Sequence, residues 1–464
     1  MKVSKSMRIS YSGIRGIVGE SLTPEVAWGF GRAFMLFLQR RTSLPTILLA
    51  RDTRPHGEVL QGAIVSGLAT GSCRIRHLGI VATPTIQQAL SDFDADAGIM
   101  ITASHNPPEW NGFKFFISPE NTILDGEQMN ELMEIYQQMK KGEIGPPELM
   151  GSLFLGGLNE GERSIQIHLN KVLRHVNVDF IKEMNFQVQL DGAQGAGEII
   201  GARILDRLGC DYEILRTERN SEPIPENIKE LCQVVKKRSC DVGFAQDLDG
   251  DRLALVTEKG MAVGEQYTLA LVTKHLLEKY REYHPVIVRN SSTSHMIDDL
   301  AKEYSAKLIE TKVGEINLSR TLANLLKERK LAFGGEGNGG VIFPPISLGR
   351  DSIITMAFIL EYMAIKDRPL SELVNELPKY YRKKIKLPKK SSVEFSLYEK
   401  KIGEIFPDGK INTLDGIKVL FSDGSWVQVR PSNTEPVIRI LAESKDEGVA
   451  GELVTVVESV LSGI

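Results

Sequence analysis

Cysteine is scarce in this chain: Cys73, Cys210, Cys232 and Cys240 are its four, and none stands in a C-x-x-C pair. Over 464 residues that is too sparse for a disulfide framework, so the expectation is reduced thiols in a cytoplasmic protein. An excess of charge is missing as well. The 56 Lys and Arg against 60 Asp and Glu leave a net charge of -4, which argues against nucleic-acid partners and against adhesion to an anionic membrane. No apolar run approaches a bilayer span, and the basic start Met1 to Lys5 is not followed by an apolar segment of signal-peptide length. A soluble, unprocessed protein is expected. What the chain does have is length, enough for roughly three domains, which suits a multidomain enzyme better than a small binding module.

Strand-like apolar runs alternate with amphipathic helical stretches through most of the sequence, the pattern of α/β layers. One series runs from Thr46 to Ala50 (strand), Gly57 to Thr70 (helix) and Gly79 to Val81 (strand). A second occupies Phe186 to Gly192, Ile199 to Leu208 and Asp211 to Leu215, and a third Pro285 to Val288, Met296 to Tyr304 and Lys307 to Ile309. The Gly- and Pro-containing stretch Lys141 to Pro147 reads as a domain boundary. Past about Leu370 the character changes to a smaller α+β pattern, entered through the basic run Lys383, Lys384, Lys386, Lys389 and Lys390, which reads as a solvated surface or hinge.

Four segments carry chemistry. In Thr102-Ala103-Ser104-His105-Asn106-Pro107-Pro108, an apolar strand-like run gives way to a loop stiffened by two prolines. Ser104 therefore sits at a strand end, either as a reacting hydroxyl or as a serine bonded locally in a turn. Asp247-Leu248-Asp249-Gly250-Asp251-Arg252 sets three carboxylates at alternate positions, where they repel one another unless a cation or several donors stabilise them. With no His or Cys nearby, a hard divalent ion such as magnesium suits them. An EF-hand would use the same offsets with Glu258, but Arg252 stands where that loop needs glycine, and the flanks look like strands. Gly334 to Gly340 offers Glu336 and Asn338 as acceptor and donor to hydroxyls, with glycines that let backbone approach a ligand; a plain hairpin turn has the same composition. Arg430 to Pro436 gathers a guanidinium, two hydroxyls and an amide in one turn, as an anion-binding nest or as structure alone.

Taken in this order, the four segments resemble those of the α-D-phosphohexomutase superfamily, which includes the phosphoglucosamine mutases, phosphomannomutases and phosphoglucomutases. Ser12 to Gly16 adds the family's opening motif. The resemblance implies an α/β fold of three α/β domains with mixed sheets plus a smaller C-terminal α+β domain around a central cleft. The implied divisions are 1–150 (phosphoserine loop), 151–256 (magnesium loop), 257–370 (sugar recognition) and 371–464 (phosphate binding).

It further implies that Ser104 is a phosphoserine that gives its phosphoryl group to a hexose phosphate and later recovers one. Hexose 1,6-bisphosphate would be the intermediate and activator, and magnesium would be held by Ser104, Asp247, Asp249 and Asp251. Arg15 and Arg252 would add positive charge at the reacting centre, and Lys114 matches a position proposed for proton transfer, for which its pKa would have to fall. Glu336, Asn338 and Glu315 would contact the sugar, while Arg430, Ser432, Asn433, Thr434 and Arg439 would hold the other phosphate. Departures from the family pattern are Leu248 and Asn433 in place of frequent glycines, Asn338 for serine and Gly340 for histidine. Thr311-Lys312-Val313-Gly314-Glu315 resembles phosphoglucosamine mutases and their archaeal relatives. The expected activity is therefore that of a phosphoglucosamine mutase, with phosphomannomutase/phosphoglucomutase as runner-up and a magnesium-dependent sugar phosphatase behind it.

Overall fold

The structure, a computed structural model, describes residues 7–10, 12–147, 151–156, 159–215, 222–389, 394–432 and 437–463. Each expected strand-helix-strand series is present: Thr46–Arg51, Gly57–Leu68 and Cys73–Ile80; Gln187–Asp191, Ala196–Arg207 and Asp211–Ile214; Val286–Asn290, Met296–Glu303 and Lys307–Thr311. In all three the two strands pair in parallel, as a helical crossover between neighbours demands. The strand Ala97–Ile101 is buried along its whole length, which is why it reads as an unbroken apolar run.

Three sheets are mixed and the fourth is antiparallel throughout. The first is ordered Arg8–Ser10, Gly13–Ile17, Trp110–Ile117, Ala97–Ile101, Thr46–Arg51, Cys73–Ile80, Leu153–Leu155, with Thr122–Ile123 added to Trp110–Ile117. The second runs from Asp211–Ile214 through Gln187–Asp191, Val242–Gln246 and Leu253–Thr257 to Ala262–Val263, and the third from Lys307–Thr311 through Val286–Asn290 and Ala332–Glu336 to Gly340–Ile342. Leu153–Leu155 thus joins the first sheet just past residue 150, and Ala262–Val263 the second just past 256.

The last sheet is ordered Tyr381–Pro388, Val437–Ser444, Trp426–Pro431, Ile417–Leu420, Lys410–Asn412. Its first strand corrects the reading of the lysine run. Lys383, Lys384 and Lys386 are exposed, as a solvated surface requires, but they stand in an edge strand rather than a hinge, with a register that runs from Tyr381 opposite Ser444 to Pro388 opposite Val437. The alternation of lysine with Ile385 and Leu387 is a half-buried strand period that the charge run obscured. Lys390 lies outside the described residues.

The cores divide unevenly. One continuous apolar cluster draws Leu48 and Met100 from the first sheet, Leu190 and Phe244 from the second, and Phe333 from the third, together with Phe358. A polar joint crosses the same three regions. The buried His168 ring, on the helix Glu160–Leu173, meets Thr85 Oγ1 at 3.0 Å and Asp351 Oδ2 at 2.8 Å, and Asp351 caps the helix Ser352–Lys366. The C-terminal sheet instead packs its own cluster between Tyr398 and Leu461.

Candidate active site

Ser104 follows the fully buried strand Ala97–Ile101, and its backbone takes φ = +52°, the left-handed region that a non-glycine residue seldom enters. Such a conformation stores roughly 1–3 kcal/mol and persists only where the surroundings over-determine it. Here Arg54 does so. Its guanidinium is buried and donates to the carbonyls of Ser104 (2.8 Å), Asn106 (2.7 Å), Pro107 (2.8 Å) and Trp110 (3.0 Å), while its Nε faces Asp52 at 3.3 Å. The Ser104 N–H donates to Thr102 Oγ1 at 2.8 Å. The stiffness attributed to two prolines therefore comes largely from an arginine fifty residues upstream, a contact no local motif announces. Burial lowers the Arg54 pKa and raises that of Asp52, each opposing the other's shift through their pairing.

The carboxylate loop joins the antiparallel strands Val242–Gln246 and Leu253–Thr257 and turns at Gly250, whose φ is +71°. No helix flanks it, and Glu258 accepts bonds from the N–H and hydroxyl of Ser371 instead, so the EF-hand geometry is absent. Asp247 Oδ1 accepts from the N–H groups of Asp251 (3.0 Å) and Arg252 (3.1 Å), and its Oδ2 accepts from Ser104 Oγ at 3.2 Å. Asp249 Oδ2 is held by Thr83 Oγ1 (2.7 Å) and Lys114 Nζ (2.6 Å); Asp251 Oδ2 is held by Lys114 (3.0 Å) and Arg350 (2.7 Å).

The other oxygens of Asp249 and Asp251 are buried and accept no hydrogen bond among the described residues. Carboxylate oxygens of all three aspartates lie within 4.8 Å of one another. Buried acceptors without donors, in an all-oxygen set, fit a hard divalent cation. Burial and the neighbouring charges of Asp251 and Asp249 push the Asp247 carboxyl well above its usual range. Asp251 moves the other way, because Arg350 and Lys114 outweigh its burial.

Cations close the reacting side. Burial would lower the Lys114 pKa, but Asp249 and Asp251 together hold it above its usual value, so the lysine stands as a fixed positive charge rather than a poised base. Arg15 donates to Asn106 Oδ1 at 2.6 Å, and burial brings its pKa down to about 10. Arg252 lies 4.0 Å from Asp247 and 3.8 Å from Asp251, and donates to Glu222 at 2.9 Å. Glu222 also stands 3.4 Å from His105 Nε2, and the His105 Nδ1 lies 3.2 Å from Ser104 Oγ. Burial holds the His105 pKa well below 6.5. Glu222 went unnoticed in the sequence because it stands alone.

On the opposite wall, Glu336 ends the strand Ala332–Glu336. Its Oε1 accepts from Asn290 at 3.0 Å and its Oε2 from Arg350 (2.9 Å) and Asn338 (3.4 Å). A carboxylate offers about four acceptor sites, so roughly one remains for a ligand hydroxyl. Glu315, at the start of the helix Glu315–Lys327, accepts from Arg350 Nε at 2.9 Å, and burial raises its pKa. Packing alone already demands glycine at several positions of this segment. A Cβ at Gly334 would fall 1.9 Å from Val288 O, at Gly337 2.0 Å from Gln266 and at Gly339 2.4 Å from Leu253 O. Arg350, which touches Glu315, Glu336 and Asp251, was not foreseen; it lies in the unmarked run Leu348 to Asp351.

The fourth segment lies on the C-terminal sheet. Arg430 and Arg439 stand opposite each other across paired strands, a like-charge placement that favours an anion between them. Arg430 is buried, which lowers its pKa, and it lies within electrostatic reach of Glu336. The Ser432 N–H donates to Val437 O at 2.9 Å, closing the loop; Asn433 and Thr434 lie outside the described residues.

The structure thus gathers a serine hydroxyl, three aspartates, several buried cations and the carboxylates Glu315 and Glu336 around one place. Comparison with known proteins shows the family. The chain matches the phosphoglucomutase/phosphomannomutase α/β/α domain I over residues 7–143, domain II over 166–260, domain III over 264–381 and the C-terminal domain over 374–459. It is 38% identical over 455 residues, 95% of each chain, to a phosphoglucomutase/phosphomannomutase of Thermococcus kodakarensis. It is 35% identical over 452 residues, again 95% of each, to a probable phosphoglucosamine mutase of Methanopyrus kandleri. The crystal structure of a phosphoglucomutase/phosphomannomutase family protein from Burkholderia thailandensis superposes with a TM-score of 0.79 at 24% identity, covering 98% of this chain and 96% of that one, which shows the shared fold. The chain belongs to the phosphoglucomutase/phosphomannomutase family, the α-D-phosphohexomutases, which are isomerases.

Proposed function

We propose that this enzyme interconverts the 6- and 1-phosphates of a hexose, with glucosamine phosphate as the preferred sugar, and that Ser104 carries the phosphoryl group. The observation that carries the reading is the 3.2 Å contact between Ser104 Oγ and Asp247, which sets the serine hydroxyl against the carboxylate cluster. Phospho-Ser104 gives its phosphoryl to a hydroxyl of the sugar: a P–O bond forms to the sugar as the bond to Oγ breaks, and the hydroxyl's proton passes in net to Oγ, leaving a hexose 1,6-bisphosphate and a free serine. The sugar then turns around, and its other phosphoryl returns to Ser104. Asp247, Asp249 and Asp251, with the phosphate on Ser104, would hold a magnesium ion, which when bound offsets charge on the transferring group.

Lys114, Arg15 and Arg252 supply positive charge there; Lys114 and Arg252 are largely buried, where charge acts more strongly than in water. Glu336, Asn338 and Glu315 grip the sugar, and Arg430, Ser432, Asn433, Thr434 and Arg439 hold the phosphate that is not being transferred. Divisions near 150, 256 and 370 suit this reading, because they leave each loop on its own sheet; placing the first two past Leu155 and Val263 keeps the sheets whole as well. Four free thiols support a cytoplasmic setting.

The Thr311 to Glu315 segment and the Methanopyrus relative's name support the amino sugar. The Thermococcus relative, at 38% identity, supports glucose or mannose phosphate as the second reading. Parallel kinetics on glucosamine, glucose and mannose 6-phosphates decides between them: the highest kcat/KM is expected for glucosamine 6-phosphate, and slower turnover of it than of the other two would end the amino-sugar assignment. Release of inorganic phosphate as the main product would mark a phosphatase instead.

A further inference from the structure

Arg350 is buried, and each of its guanidinium nitrogens donates to a carboxylate from a different part of the chain: Nε to Glu315 at 2.9 Å, Nη1 to Glu336 at 2.9 Å and Nη2 to Asp251 at 2.7 Å. Its backbone is fixed by an antiparallel bridge to Ile342 and by the bond from the Asp351 N–H to Val341 O at 2.9 Å. The aliphatic stem lies across Gly340. A Cβ there would come within 2.2 Å of Arg350 Cδ and 2.8 Å of Cγ, so no larger residue fits at 340 while this arginine keeps its place.

We infer that Gly340 and Arg350 form one device, in which Arg350 is a positioning residue that ties the sugar-gripping carboxylates Glu336 and Glu315 to the carboxylate loop at Asp251. The inference rests on the mutase reading and extends it to how sugar grip and phosphoryl transfer are kept in register. Three converging carboxylates repel one another without a cation among them. A planar guanidinium neutralises them and also fixes the direction of each, which a lysine ammonium does not. Because the sugar binds in two orientations, the distance from Glu336 and Glu315 to the reacting phosphoryl has to be the same in both, and a single rigid fork between them sets it. The glycine at 340 is then explained by the arginine's stem rather than by ligand approach.

The test compares wild type, Arg350→Lys, Gly340→Ala and the double variant by steady-state kinetics and by calorimetric binding of glucosamine 6-phosphate and glucose 6-phosphate in saturating magnesium. Both single variants are expected to raise KM and weaken sugar-phosphate binding together by about 10–100-fold, with the smaller change in kcat. The double variant should be little worse than the worse single one, because each change disables the same fork. Gly340→Ala leaves every charge in place and keeps the test open should Arg350→Lys fold poorly. Unchanged KM and binding in Gly340→Ala, or additive losses in the double variant, would overturn the inference while wild-type turnover still upholds the mutase. A wild type that neither binds nor converts these sugars would remove both.

Discussion

The reacting centre and the phosphate-binding face are built on opposite plans. Ser104, the aspartate loop and Glu336 hang from three sheets that share one apolar cluster, and buried bonds such as Thr83 to Asp249 and His168 to Asp351 cross between them. Arg430 and Arg439 ride on a sheet with a core of its own, and the described contacts holding it to the third sheet's loops are largely polar. Among them are Ser292 to Gln428 at 2.6 Å, the His295 N–H to Glu443 at 2.8 Å, the Val313 N–H to Asp415 at 3.1 Å and Asn412 to Glu310 at 2.9 Å. A continuous apolar core resists relative displacement, whereas this joint rests on individual hydrogen bonds, several of them buried, which would each have to be remade if the sheet shifted. The division suits a reaction in which the phosphoryl carrier stays still while the sugar bisphosphate turns around and presents its other phosphate to the C-terminal sheet.

The largest effect should come from the fixed half. Ser104→Ala is expected to reduce turnover on the order of 10^4–10^6-fold, the scale of losing a nucleophile, and to leave intact mass free of phosphate; activity near wild type would break the assignment of that half as the chemical one. Next comes Arg54→Met, which strands the buried Asp52 and frees the carbonyls of the serine loop. It should destabilise the protein by about 3–5 kcal/mol, read as a lower midpoint in urea; a shift inside ordinary surface scatter would show that the loop holds itself.

The smallest effect lies at the polar joint. Lys418 Nζ donates to Ser291 O at 2.9 Å and sits 4.0 Å over the Trp426 ring, and burial, with Arg289 nearby, lowers its pKa to about 7. The unfolded chain keeps that proton up to about pH 10.4. Between the two values the unfolded state binds more protons, so stability rises with pH, by at most about 1.4 kcal/mol per unit from this group; below pH 7 the slope vanishes and the burial penalty remains in full. Urea midpoints at pH 7 and pH 9 should show a rise in wild type that is missing in Lys418→Met. An equal rise in both would remove Lys418 as its source.

Much of this was legible in the chain because the chemistry is written in runs. Ser104 and its prolines, or Asp247, Asp249 and Asp251, are contiguous, and the strand-helix alternation sets the fold class by itself. The supporting residues are not contiguous. Arg54, Thr83, Glu222, Asn290 and Arg350 each act through a partner between about 30 and 170 positions away, so nothing beside them in sequence marks them. The lysine run misled for a different reason: net charge per segment hides a two-residue period when the intervening residues are only Ile385 and Leu387.

That strand, Tyr381–Pro388, lies at the rim of its sheet, with Val437–Ser444 on one side and no further strand on the other among the described residues. An open rim is a template on which another chain can add a strand. The C-terminal sheet packs its own apolar cluster, and no described strand covers this rim. Exposed Lys383, Lys384 and Lys386 along the strand make such addition electrostatically unfavourable. The charge that resembled a hinge thus serves to keep the open edge of the sheet from pairing with another chain.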